Sequence, residues 1–439
     1  MTSFLAFIFV LGVLVFVHEL GHFLAARRIG VRVLTFSLGF GPKLLSFKRG
    51  DTEYCVSAIP LGGYVKMAGE NPDDARTGAS DEFLSKSKWE RFQVLIMGPV
   101  MNLVLAIVVM ALVLYQGAPQ PLHVNRAPVV GTVEPGSSGE AAGFLPGDRI
   151  VSIDGRVVET WDRYAMAVGT KANREITVAL VRDDTPMTLQ VTPRAIDKFE
   201  TGDIGLRPLV RPMIAALSPG EAAEIAGLKS GDAILSVNGE RKVNNARFIE
   251  IIRANQDKPV SVEIDRDGQI QTLTVVPKSV AGTVRIGATI SPVETETIKP
   301  GIVEAFRLSV ERNWEWTMLI FDTLRGLFTR DTSVKQLMGP VGIAGLSGEA
   351  AEAGLIPLFT LMALISLNLG IMNLMPIPVL DGGHIAILAV EGLSRRDFSM
   401  KVKEKMLLGG FVLLVTLMVT VIYNDLTRVT WIERLMPWR

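Results

Sequence analysis

The most constraining stretch of this chain is an unbroken apolar run, Phe4 to Val17, that leads directly into His18-Glu19-Leu20-Gly21-His22. Continued as a helix, the run places the two histidines one turn apart on a single face. H-E-x-x-H on a helix suits a tetrahedral Zn2+, which favours neutral imidazole nitrogen. Glu19 points about 100° away, from where it reaches a water at the metal without ligating the metal itself. Five-residue matches arise by chance, and a helix end with snorkelling polar groups is the competing reading. Ionisable residues at membrane depth are costly, which favours a functional role.

Composition supports a membrane protein with a sizeable polar portion. Hydrophobic residues make up 48% of the 439, and mean hydropathy is +0.33. The 45 basic residues balance the 45 acidic ones, which argues against a nucleic-acid partner. Cys55 is the single cysteine, excluding an intrachain disulfide and a Cys-rich metal site. Of four histidines, three fall in motifs discussed here, and His123 reads as ordinary surface.

Met1-Thr2-Ser3 carries no basic side chain, whereas Arg27 and Arg28 follow the first run. The positive-inside rule therefore puts the N-terminus outside and residues after about 26 in the cytoplasm. His18 stands about 21 Å along the helix from Phe4, on the cytoplasmic side of the bilayer midplane. Residues 27–91 have β-hairpin texture, with Gly39, Gly41, Gly62 and Gly63 between extended stretches such as Tyr54 to Ala58. A membrane-associated β region and a plain surface loop are both open there. The second span covers 92–116 and contains Gly98-Pro99-Val100-Met101-Asn102. Gly98 and Asn102 offer close helix approach and a buried amide on one face, or simple packing with a satisfied Asn.

Between the second and third spans the chain is polar and repeats itself. Ala142-Gly143-Phe144-Leu145-Pro146-Gly147-Asp148 returns as Ala226-Gly227-Leu228-Lys229-Ser230-Gly231-Asp232, an offset of 84 from Gly143 to Gly227. The pattern resembles PDZ domains of the protease-associated kind, expected over 125–195 and 205–280. Such domains bind peptide ends by strand addition, although two rigid spacers or size filters are equally compatible.

Residues 300–353 read as amphipathic interfacial helices, with Trp314 and Trp316 among charges; an ordinary packing helix is the alternative. The third span, 355–392, carries Asn373-Leu374-Met375-Pro376-Ile377-Pro378-Val379-Leu380-Asp381-Gly382-Gly383-His384. Its two prolines must break the helix, which membranes tolerate only where protein or a water-filled cavity satisfies the backbone. Asp381 comes late in a segment entering from outside, as His18 and His22 do, so the depths agree. Basic residues at 395, 396, 401, 403 and 405 precede a fourth span at 406–424 and a tail at 425–439. Both termini and the repeats are then outside.

Two histidines and one carboxylate at equal depth make a three-donor zinc site with an open position, assigned to His18, His22 and Asp381. Glu19 is the general base. Asn102 and Asn373 are candidates to assist an oxyanion or to position the substrate backbone. His384 reads as a helix residue without a metal role.

H-E-L-G-H, G-P-V-M-N, N-L-M-P-I-P-V-L-D-G-G-H and the tandem repeat together resemble the site-2 protease family, in its bacterial regulator-of-sigma-E branch. The likeness runs over essentially the whole chain. It implies a four-span helical membrane protein with a membrane-associated β-hairpin region and two PDZ domains, carrying one Zn2+ per chain. It further implies intramembrane cleavage of single-pass proteins, such as an anti-sigma factor already cut once, and of remnant signal peptides. Membrane lipid is the other partner, the inner membrane the expected location, and the PDZ pair a size filter. A membrane PDZ scaffold or sensor without proteolysis is the alternative; it predicts loss of Glu19 or a fourth protein ligand closing the site.

Overall fold

The computed structural model describes residues 2–70, 78–121, 126–197, 200–208, 210–241, 243–266, 268–280, 283–291, 295–329 and 332–428. His123 and the tail from 429 onward lie outside them. The described chain divides into two compact units, one of residues 1–118 with 299–439 and one of residues 119–298.

The first unit is built on helices whose sequences leave little choice but a membrane. Four are long and apolar enough to cross one: α1 (Thr2–Arg28), α2 (Lys88–Gln116), Leu355–Leu374 and Met400–Arg428. Ser87 and Glu90 form a capping box at the start of α2, which fixes where that helix begins. Residues with small side chains bring α1 and α2 into backbone contact: a Cβ at Gly21 would lie 2.4 Å from the Met97 carbonyl oxygen. His22 meets Gly98 and His18 meets Asn102, so the two helices run antiparallel.

Between α1 and α2, β1 (Val33–Arg49) and β2 (Thr52–Met67) are each long enough to pair twice. Phe36 faces Tyr54 on one side and Val65 on the other, while Phe47 also faces Tyr54. The ladder therefore has four segments, in the order 43–49, 52–57, 33–38 and 63–67, rather than a simple hairpin. Phe23, Phe36, Val65, Met67 and Val94 join it to α1 and α2 in one apolar cluster.

The second unit holds the repeat twice. Each copy has a short helix, α3 (Ser138–Ala141) in the first and α5 (Ala222–Ile225) in the second. Each also has a longer one, α4 (Trp161–Gly169) and α6 (Asn245–Ala254). Each surrounds its own apolar core, centred on Trp161, Ile150 and Val178 in one and on Phe248, Ile234 and Val262 in the other. The boundaries differ from those expected. Leu206–Pro208 pairs with Val130–Val133, so residues from 205 close the first copy instead of opening the second. Ala288–Ser291 likewise pairs with Met213–Leu217 and extends the second copy beyond 280.

The chain then returns to the first unit as α7 (Ile302–Thr329), α8 (Pro340–Ala353), α9 (Leu355–Leu374), α10 (Asp381–Ser394) and α11 (Met400–Arg428). Ala305, Ser309 and Asn313 recur every fourth residue as the buried stripe of α7, and Ser309 Oγ donates to the Ile107 carbonyl of α2 at 2.6 Å. Its other face leaves Phe306, Trp314 and Phe321 exposed. α9 packs on α2 through Gly370 against Leu103 and through Ser366, whose hydroxyl donates to the Asn102 carbonyl at 2.8 Å. Both α1 and α9 are antiparallel to α2, hence parallel to each other. The expected third span is two helices separated by the Pro376–Pro378 break, since proline cannot donate the helical hydrogen bonds there. α11 is held at its far end by Asp425, which accepts from the Gly339 and Gly342 amides at the start of α8.

Candidate metal centre

His18 and His22 project from the same face of α1, and the α9–α10 break delivers Asp381 to them. His18 Nε2 and His22 Nε2 are 3.3 Å apart, and Asp381 Oδ2 lies 3.2 Å from the first and 3.4 Å from the second. Among the described residues these three form the cluster able to hold a metal ion, and their side chains are 12%, 10% and 19% exposed.

The residues around the donors orient them. His22 Nδ1 lies 2.8 Å from the Val94 carbonyl oxygen, which only accepts, so the neutral ring carries its proton there and its lone pair on Nε2. Asn102 stands 3.1 Å from His18 Nδ1 and is fully buried, and its Oδ1 has no partner among the described residues. Turning that amide by 180° gives Oδ1 the Nδ1–H of His18 and leaves the His18 lone pair on Nε2 as well. Three lone pairs then face one another at 3.2–3.4 Å with no proton between them. Donors about 2.0–2.2 Å from a tetrahedral zinc stand roughly 3.3–3.6 Å apart, so the set fits that ion.

Glycines make the approach feasible. A Cβ at Gly98 would sit 2.3 Å from His22 Nε2, so α2 provides a notch for that ring one turn before Asn102. Gly382 and Gly383 let the first turn of α10 fold back on Leu374 and Ile377, whose backbone atoms a Cβ would approach to 2.3 Å and 2.2 Å. Val379, two residues before Asp381, is held at φ 150°, a strained conformation for a β-branched residue. The break is thus over-determined, and Asp381 is placed by backbone rather than by side-chain packing.

Glu19 faces the 63–67 segment of β2: a Cβ at Gly63 would lie 3.0 Å from Glu19 Cγ, and the Val65 amide interacts with its carboxylate. It is partly buried beside the three donors but not one of them. The remaining sequence candidates separate. Asn102 lies behind His18, enclosed, with its amide 3.1 Å from His18 Nδ1, as in the reading that has a neighbouring helix satisfy it. Asn373, in the last turn of α9, is partly exposed, and its side chain has no hydrogen-bond partner among the described residues. His384 follows Asp381 by one turn and lines a cleft of about 440 Å3 with Val379, Glu404 and Phe411. The Val94 carbonyl carries no sequence signal, since any residue presents one. The Gly98 notch was detectable only as a small residue in an apolar span.

The model of peptidase family M50 matches residues 6–417. The chain belongs to that family. It is 35% identical to the regulator of sigma-E protease RseP of Escherichia coli, over 96% of this chain and 98% of the relative. It is also 35% identical to a putative zinc metalloprotease, PM1991, of Pasteurella multocida, over 97% of this chain and 99% of that one. A PDZ domain of the SdrC-like protein from Listeria monocytogenes aligns with 19% of this chain and 86% of its own. Its identity is 22% and its TM-score 0.18, too low to carry an argument. The M50 protein described here is a membrane zinc metalloprotease of the site-2 type.

Proposed function

We propose that this chain is an intramembrane endopeptidase that cuts single-pass membrane proteins, with His18, His22 and Asp381 holding one zinc ion and Glu19 acting as base. The observation that carries the reading is the convergence of two imidazole nitrogens and one carboxylate oxygen to within 3.2–3.4 Å of one another, with the Glu19 carboxylate beside them. A zinc ion held by His18, His22 and Asp381 would supply Lewis-acid chemistry, polarising a carbonyl and lowering the pKa of a nearby water to about 7. Glu19 takes the proton of the attacking water and delivers it to the leaving amine. Asn102 holds the His18 ring, and Asn373, with its amide uncommitted, positions the substrate backbone or the developing oxyanion. The neighbouring β segment 63–67 suits an unwound substrate strand, which must be extended for its carbonyl to be reached.

The relatives named for sigma-E regulation support an anti-sigma factor, already shortened outside, as the substrate, and remnant signal peptides as a second class. The two repeats are read as PDZ domains serving as a size filter. The distribution of Lys and Arg supports an inner-membrane topology with the repeats and both termini on the periplasmic side, and α7 lying along the outer leaflet. A proteolytically silent PDZ scaffold is disfavoured by the presence of Glu19 and by a donor cluster of three rather than four among the described residues.

The test is cleavage of a single-pass reporter with a truncated outer domain, in detergent with zinc. Glu19→Gln should retain the metal and lose activity by on the order of 100- to 10,000-fold. Equal cleavage by the variant, or none by the zinc-loaded wild type across several reporters, would overturn the mechanism.

A further inference from the structure

The end of α2 that begins at Lys88 holds a charged cluster that proteolysis does not use. Lys88 Nζ donates to the Glu391 carbonyl at 2.9 Å and pairs with Asp397 at 2.8 Å. The Glu391 carboxylate, 1% exposed, pairs with Lys403 at 2.8 Å and accepts from the Phe398 amide at 2.8 Å. Glu90 is engaged with Ser87 in the capping box. Every carboxylate in the cluster therefore has a partner.

Arg91 does not. It follows Lys88 by three residues, which puts both on one side of α2. It is 9% exposed, its Nε is buried without a partner, and its side chain makes no ion pair among the described residues. Asp397 feels its charge but is bonded to Lys88. Lys88, Arg91 and Lys403 thus face two carboxylates, Glu391 and Asp397, and exposed Arg395 and Arg396 add further positive charge. A buried, unpaired guanidinium is costly. Cations in a first helical turn also oppose the dipole, positive at that end, so the arrangement does not serve the helix. An anion beside Arg91 would offset that cost.

The surroundings indicate which anion. Trp89, 66% exposed and stacked on Phe92, is the kind of aromatic found at the level of lipid headgroups. Leu393, at the adjoining end of α10, is 88% exposed. We propose that this cluster binds the phosphate of an anionic phospholipid headgroup, with Arg91 as its principal ligand. The planar guanidinium matches two phosphate oxygens, and the exposed apolar residues beside it accommodate acyl chains. This rests on α2 being a membrane span and not on the proteolytic reading.

The experiment uses the full chain, delipidated in neutral detergent, and follows thermal unfolding during titration with phosphatidylglycerol, phosphatidylcholine or inorganic phosphate. Phosphatidylglycerol should raise the unfolding temperature of the wild type, with little response to the other two. Arg91→Gln should need about tenfold more phosphatidylglycerol for half its effect. Without lipid, the same variant should be at least as stable as the wild type, because it removes an unpaired buried charge. Arg91→Lys, which keeps the charge but not the fork, should fall between them and serves if Arg91→Gln does not fold. Identical titrations for wild type and variants would overturn the site, and an equal response to inorganic phosphate would overturn the lipid headgroup as its ligand.

Discussion

Each repeat buries a carboxylate against an arginine: Asp148 accepts twice from Arg182 at 2.7 Å, and Asp232 twice from Arg266 at 2.7 Å and 2.6 Å. The same arginines also donate to the Gly143 and Gly227 carbonyls, so both pairs are closed. The membrane site follows the opposite plan. Its three donors are oriented from behind by Asn102 and Val94, yet face one another with nothing but acceptors. A closed pair satisfies its charge internally and can only contribute structure. An open set is stable only when a cation joins it, and so can contribute chemistry. Both are buried polar clusters, and burial alone does not distinguish them.

The largest test of that contrast is Asp381→Asn. Removing the anionic donor should lower zinc affinity and cleavage by more than about 100-fold, beyond the usual effect of an orienting neighbour. Zinc per chain after dialysis measures it, and full retention would mean the cluster is not the metal centre. Asn102→Leu comes next, with an expected loss of about 10- to 100-fold in zinc affinity by chelator competition. Unchanged affinity with reduced kcat would instead return Asn102 to the role of a substrate-facing amide.

On the closed side, Arg182→Ala leaves Asp148 charged and unpaired, which should destabilise the first repeat by about 3 kcal/mol. Hydrogen exchange of its core amides reports the loss, while zinc content should stay constant; a parallel loss of zinc would couple the two units. The smallest effect is with pH. Burial pushes the Asp148 carboxyl up, but the Arg182 guanidinium and the Leu145 amide more than offset this and hold it below its ordinary value. With the folded value depressed, its contribution is complete above the unfolded carboxylate range, about pH 4–5, and is lost as pH falls through the lower folded value. Acid unfolding of the first repeat should therefore shift less with pH in Asp148→Asn than in the wild type.

Much of this protein is legible in its sequence because the relevant patterns are local. Apolar runs of span length, the i, i+4 spacing of His18 and His22, and the helix-breaking Pro376 and Pro378 each depend on neighbours a few residues away, and the 84-residue repeat shows by comparing the chain with itself. What the sequence left wrong or open falls where partners are distant. Leu206–Pro208 was placed with the wrong repeat because its pairing strand, Val130–Val133, lies more than seventy residues earlier. Asn102 was left open between an amide facing substrate and one satisfied by a neighbouring helix, because nothing within α2 reveals which helix its amide meets.

The sequence by itself therefore determined the spans, the pair of histidines, the carboxylate beside them and the duplicated scaffold. Only the tertiary structure decided that Asp381 closes to 3.2 Å from His18, that Gly98 and Asn102 serve two different histidines, and that Arg91 has no carboxylate partner among the described residues. The physical reason is register. Antiparallel packing of α1 on α2, fixed by close contact at Gly21 and Gly98, sets which side chains meet, and that alignment is a property of two surfaces rather than of either helix alone.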